Sequence, residues 1–121
     1  VQLPLTLRWG GAEDAEGIAI PVHLESNPHF FELVFEDDSN LMIEINGTWF
    51  YKSPKAKTID VMSAFFKKPV TSPCDMTLKI FAPPATGEND ISTEDGLYNS
   101  YTTIKKLPKI RLRFEPIELA K

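Results

Sequence analysis

Hydrophobic and polar residues alternate with a period of two along most of the chain, which is typical of strands with one buried face. The apolar positions of this pattern are Leu3, Leu5, Leu7 and Trp9; Ile18, Ile20, Val22 and Leu24; Phe31, Leu33 and Phe35; Met76, Leu78 and Ile80; and Ile110, Leu112 and Phe114. Pro- and Gly-containing turns separate these runs. The pattern predicts an all-β fold of about eight strands, an antiparallel two-layer β-sandwich of immunoglobulin-like or jelly-roll type.

Residues 41–51 give the strongest local signal. Asn46-Gly47 stands between two β-prone runs, and this dipeptide favours a two-residue hairpin turn because both positions need a positive φ. The turn fixes a register in which Glu44 faces Trp49 and Met42 faces Tyr51. Alternation then places Leu41, Ile43, Ile45 and Phe50 on the core face, and Met42, Glu44, Trp49 and Tyr51 on the opposite one.

Three further segments shape the predicted architecture. Pro21 cannot donate to a ladder, so its strand is expected at a sheet edge. Residues 58–66 fit either a strand or a helical stripe of Ile59, Met62 and Phe66, and we favour the strand. Residues 83–97 are polar and predict a mobile loop within a single domain spanning residues 1–121.

Composition constrains the compartment and the partners. The single cysteine, Cys74, rules out an intrachain disulfide and favours a reducing compartment such as the cytoplasm. The Asn46-Gly47-Thr48 sequon leaves secretion open, although turn chemistry alone accounts for it. No run reaches the roughly 20 apolar residues of a membrane span, and a pI near 5.1 argues against nucleic acid as a partner.

Charge is distributed unevenly between the two halves. Residues 1–50 carry one cation against nine acids, a net −8, whereas the remainder carries twelve cations against eight acids, a net +4. Five cations lie in one late segment: Lys105, Lys106, Lys109, Arg111 and Arg113. They pair either with acids on a neighbouring strand or with an acidic partner, which could be a second copy of the chain.

The predicted outer hairpin face is the best candidate binding site. Trp49 and Tyr51 can form a flat apolar platform for a protein or a sugar; Met42 would widen it and Glu44 would accept hydrogen bonds. The alternative is that a loop or a second sheet covers both rings.

Candidate catalytic and metal-binding residues have no distinctive spacing. His23 and His29 are expected to be ordinary surface histidines, and the acidic run Glu36-Asp37-Asp38 matches no calcium-loop pattern. No nucleophile elbow, phosphate loop or dinucleotide fingerprint occurs, so we predict no cofactor.

Two short motifs resemble the glycogen-binding modules of AMP-activated kinase β subunits. They are Arg8-Trp9-Gly10-Gly11 and Ile45-Asn46-Gly47-Thr48-Trp49, within a similarity that spans about residues 5–52. The resemblance implies an immunoglobulin-like fold and a role for Trp49 in stacking on a glucose ring. The chain departs from the family at residues 23–28, which lack the family's additional Trp, and at Met42, where the family often has a basic residue.

These observations lead us to expect a non-catalytic binding or assembly module that acts by protein–protein contact, including self-association, through a sheet face or edge. Binding of an α-glucan by Trp49 and Tyr51 is the alternative, and a small hydrolase is the third expectation.

Overall fold

The computed structural model describes residues 5–10, 17–83 and 99–114. Within these ranges the chain forms nine strands and one helical turn. They are β1 (Leu5–Gly10), β2 (Ile18–Leu24), β3 (Phe30–Val34), β4 (Leu41–Ile45), β5 (Thr48–Lys52), β6 (Thr58–Asp60), α1 (Ser63–Phe66), β7 (Cys74–Phe81), β8 (Asn99–Ile104) and β9 (Lys109–Arg113). Apart from Pro83, the predicted loop at 83–97 lies outside the described residues.

All strand pairs are antiparallel and form three sheets, in the orders β1-β8, β2-β7-β4-β5 and β6-β3-β9. One hydrophobic cluster contains residues from all three sheets. Its members include Leu7 and Ile104 from the first sheet, Leu24, Ile43 and Leu78 from the second, and Phe31 and Leu33 from the third. The expected all-β, sandwich-like fold is confirmed. No helix in the described part of the chain is long and apolar enough to cross a lipid bilayer.

Most strands follow the predicted alternation, but the segment of β9 does not, because Leu112 is 41% exposed and Phe114, just beyond the strand, is 36% exposed although the pattern places both on a buried face. In β2 the two end residues, Ile18 and Leu24, are buried, while Ala19, Pro21 and His23 are exposed. Among the described strands β2 lies at the edge of its sheet, as the loss of a donor at Pro21 requires. Leu3 and the side chain of Trp9 lie outside the described residues.

The β4–β5 hairpin has the register predicted from its turn. Glu44 pairs with Trp49 and Met42 pairs with Tyr51, and the turn residues Asn46 and Gly47 have φ values of 54° and 83°. The side-chain amide of Asn46 donates to the carbonyl oxygens of Ala64 and Lys68, both at 2.9 Å. Asn46 therefore shapes the turn and also ties the hairpin tip to α1.

The predicted strand over 58–66 is correct only for its first three residues. After β6 the chain makes the single turn α1, and the residues buried there are Val61, Ala64 and Phe65. Their i, i+3, i+4 spacing is helical. The helical stripe considered from the sequence is also wrong, because its last member, Phe66, is 70% exposed.

Candidate functional site

The outer face of the β4–β5 hairpin carries two exposed aromatic side chains. Trp49 is 43% exposed and Tyr51 is 54% exposed, and they lie two residues apart on the strand at the edge of the described sheet. Met42 and Glu44, on the neighbouring strand, are half-buried beside them. We call these four residues the aromatic face. The alternation in the sequence predicts all four on one face, and the structure places them together.

Phe81 forms the floor of the aromatic face. It pairs with Met42 across the ladder, its ring centroid lies 5.6 Å from that of Trp49, and it is only 9% exposed. The segment at Gly17 also approaches closely, since a Cβ at this position would lie 2.7 Å from a ring carbon of Phe81 and 2.0 Å from the carbonyl oxygen of Ile80. The exposed Trp49 ring therefore rests on a packed apolar base.

Glu44 has a local structural role on this face. One oxygen of its carboxylate accepts a hydrogen bond from the backbone N–H of Gly47 at 2.9 Å. In the ladder Glu44 lies between Trp49 on β5 and the exposed Lys79 on β7. The face thus combines aromatic area with one carboxylate and one ammonium group, which suits a ligand that has both apolar and polar groups.

The basic segment is largely paired within the molecule. Lys106 and Lys109 contact the two carboxylate oxygens of Glu36 at 3.1 and 2.5 Å, and Arg111 contacts Glu32 at 3.1 Å. Hydrogen bonds from Lys109 and then Lys106 lower the pKa of Glu36.

Two members of the predicted basic site have other surroundings. The backbone N–H of Lys105 donates to a carboxylate oxygen of Asp37 at 3.4 Å. Arg113 pairs with Phe30 at the end of the β3–β9 ladder. For three of the five cations the intramolecular alternative therefore describes the structure.

The acidic run after β3 is engaged by neighbouring groups. Asp37 accepts hydrogen bonds from the hydroxyl and the backbone N–H of Ser39, at 2.6 and 3.2 Å, and Asp38 accepts one from Lys57 at 2.6 Å. Groups of three or more His, Cys, Asp or Glu side chains placed to hold a metal ion do not occur among the described residues.

The two histidines lie apart and have different contacts. Each ring nitrogen of His23 lies beside a carboxylate, and the protonated ring donates to both: Asp75 lies 2.6 Å from Nδ1 and Glu25 lies 3.0 Å from Nε2. The hydrogen bond to Asp75, followed by that to Glu25, raises the pKa of His23. His29 instead makes an edge-on ring contact with Phe114. The sequence contains the pair His23 and Glu25, but only the β2–β7 register brings in Asp75.

Sequence reasoning missed a buried lysine. Lys52 has no exposed surface; its Nζ donates to the carbonyl oxygens of Ser39 and Ser53 and lies 5.1 Å from the centre of the Phe35 ring. Burial lowers the pKa of Lys52, although Asp37 nearby opposes this effect. The ammonium group therefore has two carbonyl oxygens and the Phe35 ring as partners, and it stabilises the turn between β3 and β4 from the buried side.

In comparisons with known proteins, no family model, no curated protein and no solved structure matched the chain. The resemblance to glycogen-binding modules therefore rests on the two sequence motifs quoted above.

Proposed function

We propose that this chain is a non-catalytic binding module that contacts a protein partner through its aromatic face. The observation that carries the proposal is the exposure of Trp49 and Tyr51, 43% and 54%, side by side on one strand. Trp and Tyr are enriched among the residues that dominate binding energy at protein interfaces. The Phe81 ring packs against the Trp49 ring, so binding would cost little reorganisation of the Trp49 side chain.

Electrostatics favour this face over the basic segment as the docking surface. Glu36 and Glu32 already occupy Lys106, Lys109 and Arg111, and an acidic partner would have to compete with them. The aromatic face instead offers apolar area that water solvates poorly, and burying such area drives association.

An α-glucan is the second candidate ligand. Trp49 is exposed at the position where the resemblance to glycogen-binding modules places a ring that stacks on glucose. A flat aromatic ring packs well against the apolar face of a sugar. A glucan and a protein partner would use the same rings, so one set of variants tests both.

Site-specific photo-crosslinking tests the protein partner. Tyr51 is replaced by p-benzoylphenylalanine in the full chain, and the same replacement at Leu107, which is 40% exposed on another segment, is the matched control. We expect adducts formed at position 51 in an extract of the source cells but not at position 107. Adding Trp49→Ala should reduce their yield about tenfold or more, since truncating an interface Trp commonly costs about 2 kcal/mol.

Two results would contradict the proposal. Adducts with equal yield in the presence of Trp49→Ala would place the contact elsewhere, and adducts only at position 107 would do the same.

Maltoheptaose is titrated in parallel while acrylamide quenches Trp fluorescence, with Trp49→Phe used to assign the signal. If maltoheptaose protects Trp49 from quenching, the ligand of this face is a glucan and not a protein. If the sugar leaves the quenching of Trp49 unchanged, the glucan is excluded as a ligand.

A further inference from the structure

A second apolar surface lies at α1, and its most prominent residue is Phe66. In this one-turn helix Ala64 and Phe65 are fully buried, and the helical rotation per residue places the side chain of Phe66 on the solvent side. Phe66 is 70% exposed, which is more than any other large apolar residue whose side chain the structure describes. The exposed ring offers apolar area that a ligand can remove from water.

Phe66 borders a groove between α1 and the β2–β3 turn. The larger part, about 570 Å³, is lined by His29, Phe30, Asp60, Met62, Ser63 and Phe66. A smaller part of about 330 Å³ shares three of these residues and extends towards Asn27 and Pro28. We call this concavity the Phe66 groove. Its size suits one or two side chains of a peptide segment.

Hydrogen bonds from three separate segments hold the walls of the Phe66 groove. Asn46 donates to the carbonyls of Ala64 and Lys68 on either side of Phe66. Asp60 accepts from the backbone N–H of Met62 at 2.8 Å, and Asn27 accepts from that of Val70 at 2.8 Å. The groove is thus formed before any ligand arrives, which lowers the entropic cost of binding.

Charge on the two residues that follow Phe66 in the chain indicates the chemistry of the occupant of the groove. Lys67 and Lys68 follow Phe66 directly, both are exposed, and no carboxylate among the described residues forms an ion pair with either. Lys106, Lys109 and Arg111, by contrast, each have Glu36 or Glu32 as a partner. Asp60 lines the groove and accepts the Met62 N–H, so the carboxylates of an occupant must lie away from Asp60 and beside Lys67 and Lys68. An occupant that brings carboxylates to Lys67 and Lys68 therefore complements the surface.

We propose that the Phe66 groove binds a segment of a partner protein that combines acidic and apolar residues. An apolar side chain of this segment packs against Phe66 and Met62, and its carboxylates pair with Lys67 and Lys68. This site is separate from the aromatic face and does not depend on the function proposed for that face.

A random peptide display library, panned on the full chain, tests the proposal. We expect enriched peptides in which Asp or Glu stands next to Phe, Leu or Trp. Phe66→Ser should weaken their binding about tenfold or more, as loss of a central apolar contact does, whereas Leu107→Ser, a matched exposed apolar position, should leave binding unchanged. Lys67→Glu should also weaken binding about tenfold, and Lys55→Glu, the same charge change at an exposed turn residue, should not.

Several outcomes would overturn this proposal. They are a library that yields no peptide sensitive to Phe66→Ser, Phe66-sensitive peptides without acidic residues, or equal effects of Lys67→Glu and Lys55→Glu on the binding of Phe66-sensitive peptides. Binding to vesicles of phosphatidylcholine and phosphatidylserine in equal amounts, lost with Phe66→Ser, would assign the surface to a membrane instead. A dimer that dissociates with Phe66→Ser would assign it to a second copy of the chain. Because Trp49→Ala leaves this groove unchanged, failure here is separable from failure at the aromatic face.

Discussion

Asn46 performs two tasks at once, and substitutions can separate them. Its backbone has a φ of 54° in the β4–β5 turn, and its side-chain nitrogen donates to the carbonyl oxygens of Ala64 and Lys68. Since both partners are carbonyl oxygens, the nitrogen of the amide must face them. Asn46→Gly keeps the backbone conformation and removes the hydrogen bonds, whereas Asn46→Ala removes the hydrogen bonds and also disfavours the positive φ.

The structure gives the expected sizes of these losses. The bond to Ala64 is partly buried and should contribute about 1 kcal/mol, while the bond to Lys68 is exposed and should contribute about 0.5 kcal/mol because water replaces it. Asn46→Gly should therefore lower the free energy of unfolding by about 1.5 kcal/mol. Asn46→Ala should lower it by about 3 kcal/mol, because a left-handed conformation costs a residue with a Cβ a further 1–2 kcal/mol or so.

Urea denaturation, followed by Trp fluorescence, measures the free energy of unfolding of both variants. The slope of this free energy against urea concentration should stay unchanged, as two-state unfolding requires. Asn46→Asp is the control for the hydrogen bonds: Asp tolerates the turn conformation but has no N–H to donate, so it should resemble the Gly variant. If the Asp variant is as stable as the unmodified chain, the two hydrogen bonds contribute nothing. If the Ala variant is no worse than the Gly variant, the backbone argument fails.

Two further predictions concern stability and pH. Phe65→Ala should lower the free energy of unfolding by about 3–5 kcal/mol, because the ring is fully buried. Phe66→Ala should change it by less than about 0.5 kcal/mol. Equal effects of the two variants in thermal melts would refute the assignment of Phe65 to the buried side of α1 and Phe66 to the exposed side. His23 should titrate above its usual value because the carboxylates of Asp75 and Glu25 stabilise the imidazolium. Its stabilising contribution should be complete below the unfolded pKa near 6.5 and lost as the pH rises through the raised folded pKa. An NMR titration that gives an unshifted or lowered pKa for His23 would disprove its pairing with the two carboxylates.

The sequence determined the hairpin well because a two-residue turn leaves one choice of register. Once Asn46-Gly47 forms the turn, the pairs Glu44–Trp49 and Met42–Tyr51 follow from counting, and both were predicted correctly. The exposure of Trp49 and Tyr51 did not follow, since it depends on whether anything packs over that face. Alternation assigns residues to two faces but does not say which face is solvated when both carry aromatic residues.

Other features arise from contacts between distant segments and have no local signature. Lys52 occupies an apolar position in the β5 alternation, and it can be buried there because Ser39, from another turn, supplies a carbonyl to its ammonium group. Phe81 would be exposed by alternation alone, and Trp49 covers it. The segment after β6 combines a period of two with a helical spacing, and burial of Val61, Ala64 and Phe65 decides between them. In each case tertiary packing overrides the local pattern.

The two proposed binding surfaces are linked through the hairpin tip. Trp49 on the aromatic face follows Asn46 by three residues, and Asn46 holds the backbone on both sides of Phe66. Loosening Asn46 would therefore disturb the Phe66 groove and the turn that sets the β5 register, and a loss of binding in an Asn46 variant would not identify either surface. Trp49→Ala and Phe66→Ser each change one surface and leave the hydrogen bonds of Asn46 in place, so these variants, unlike one at Asn46, can attribute a partner to one surface or the other.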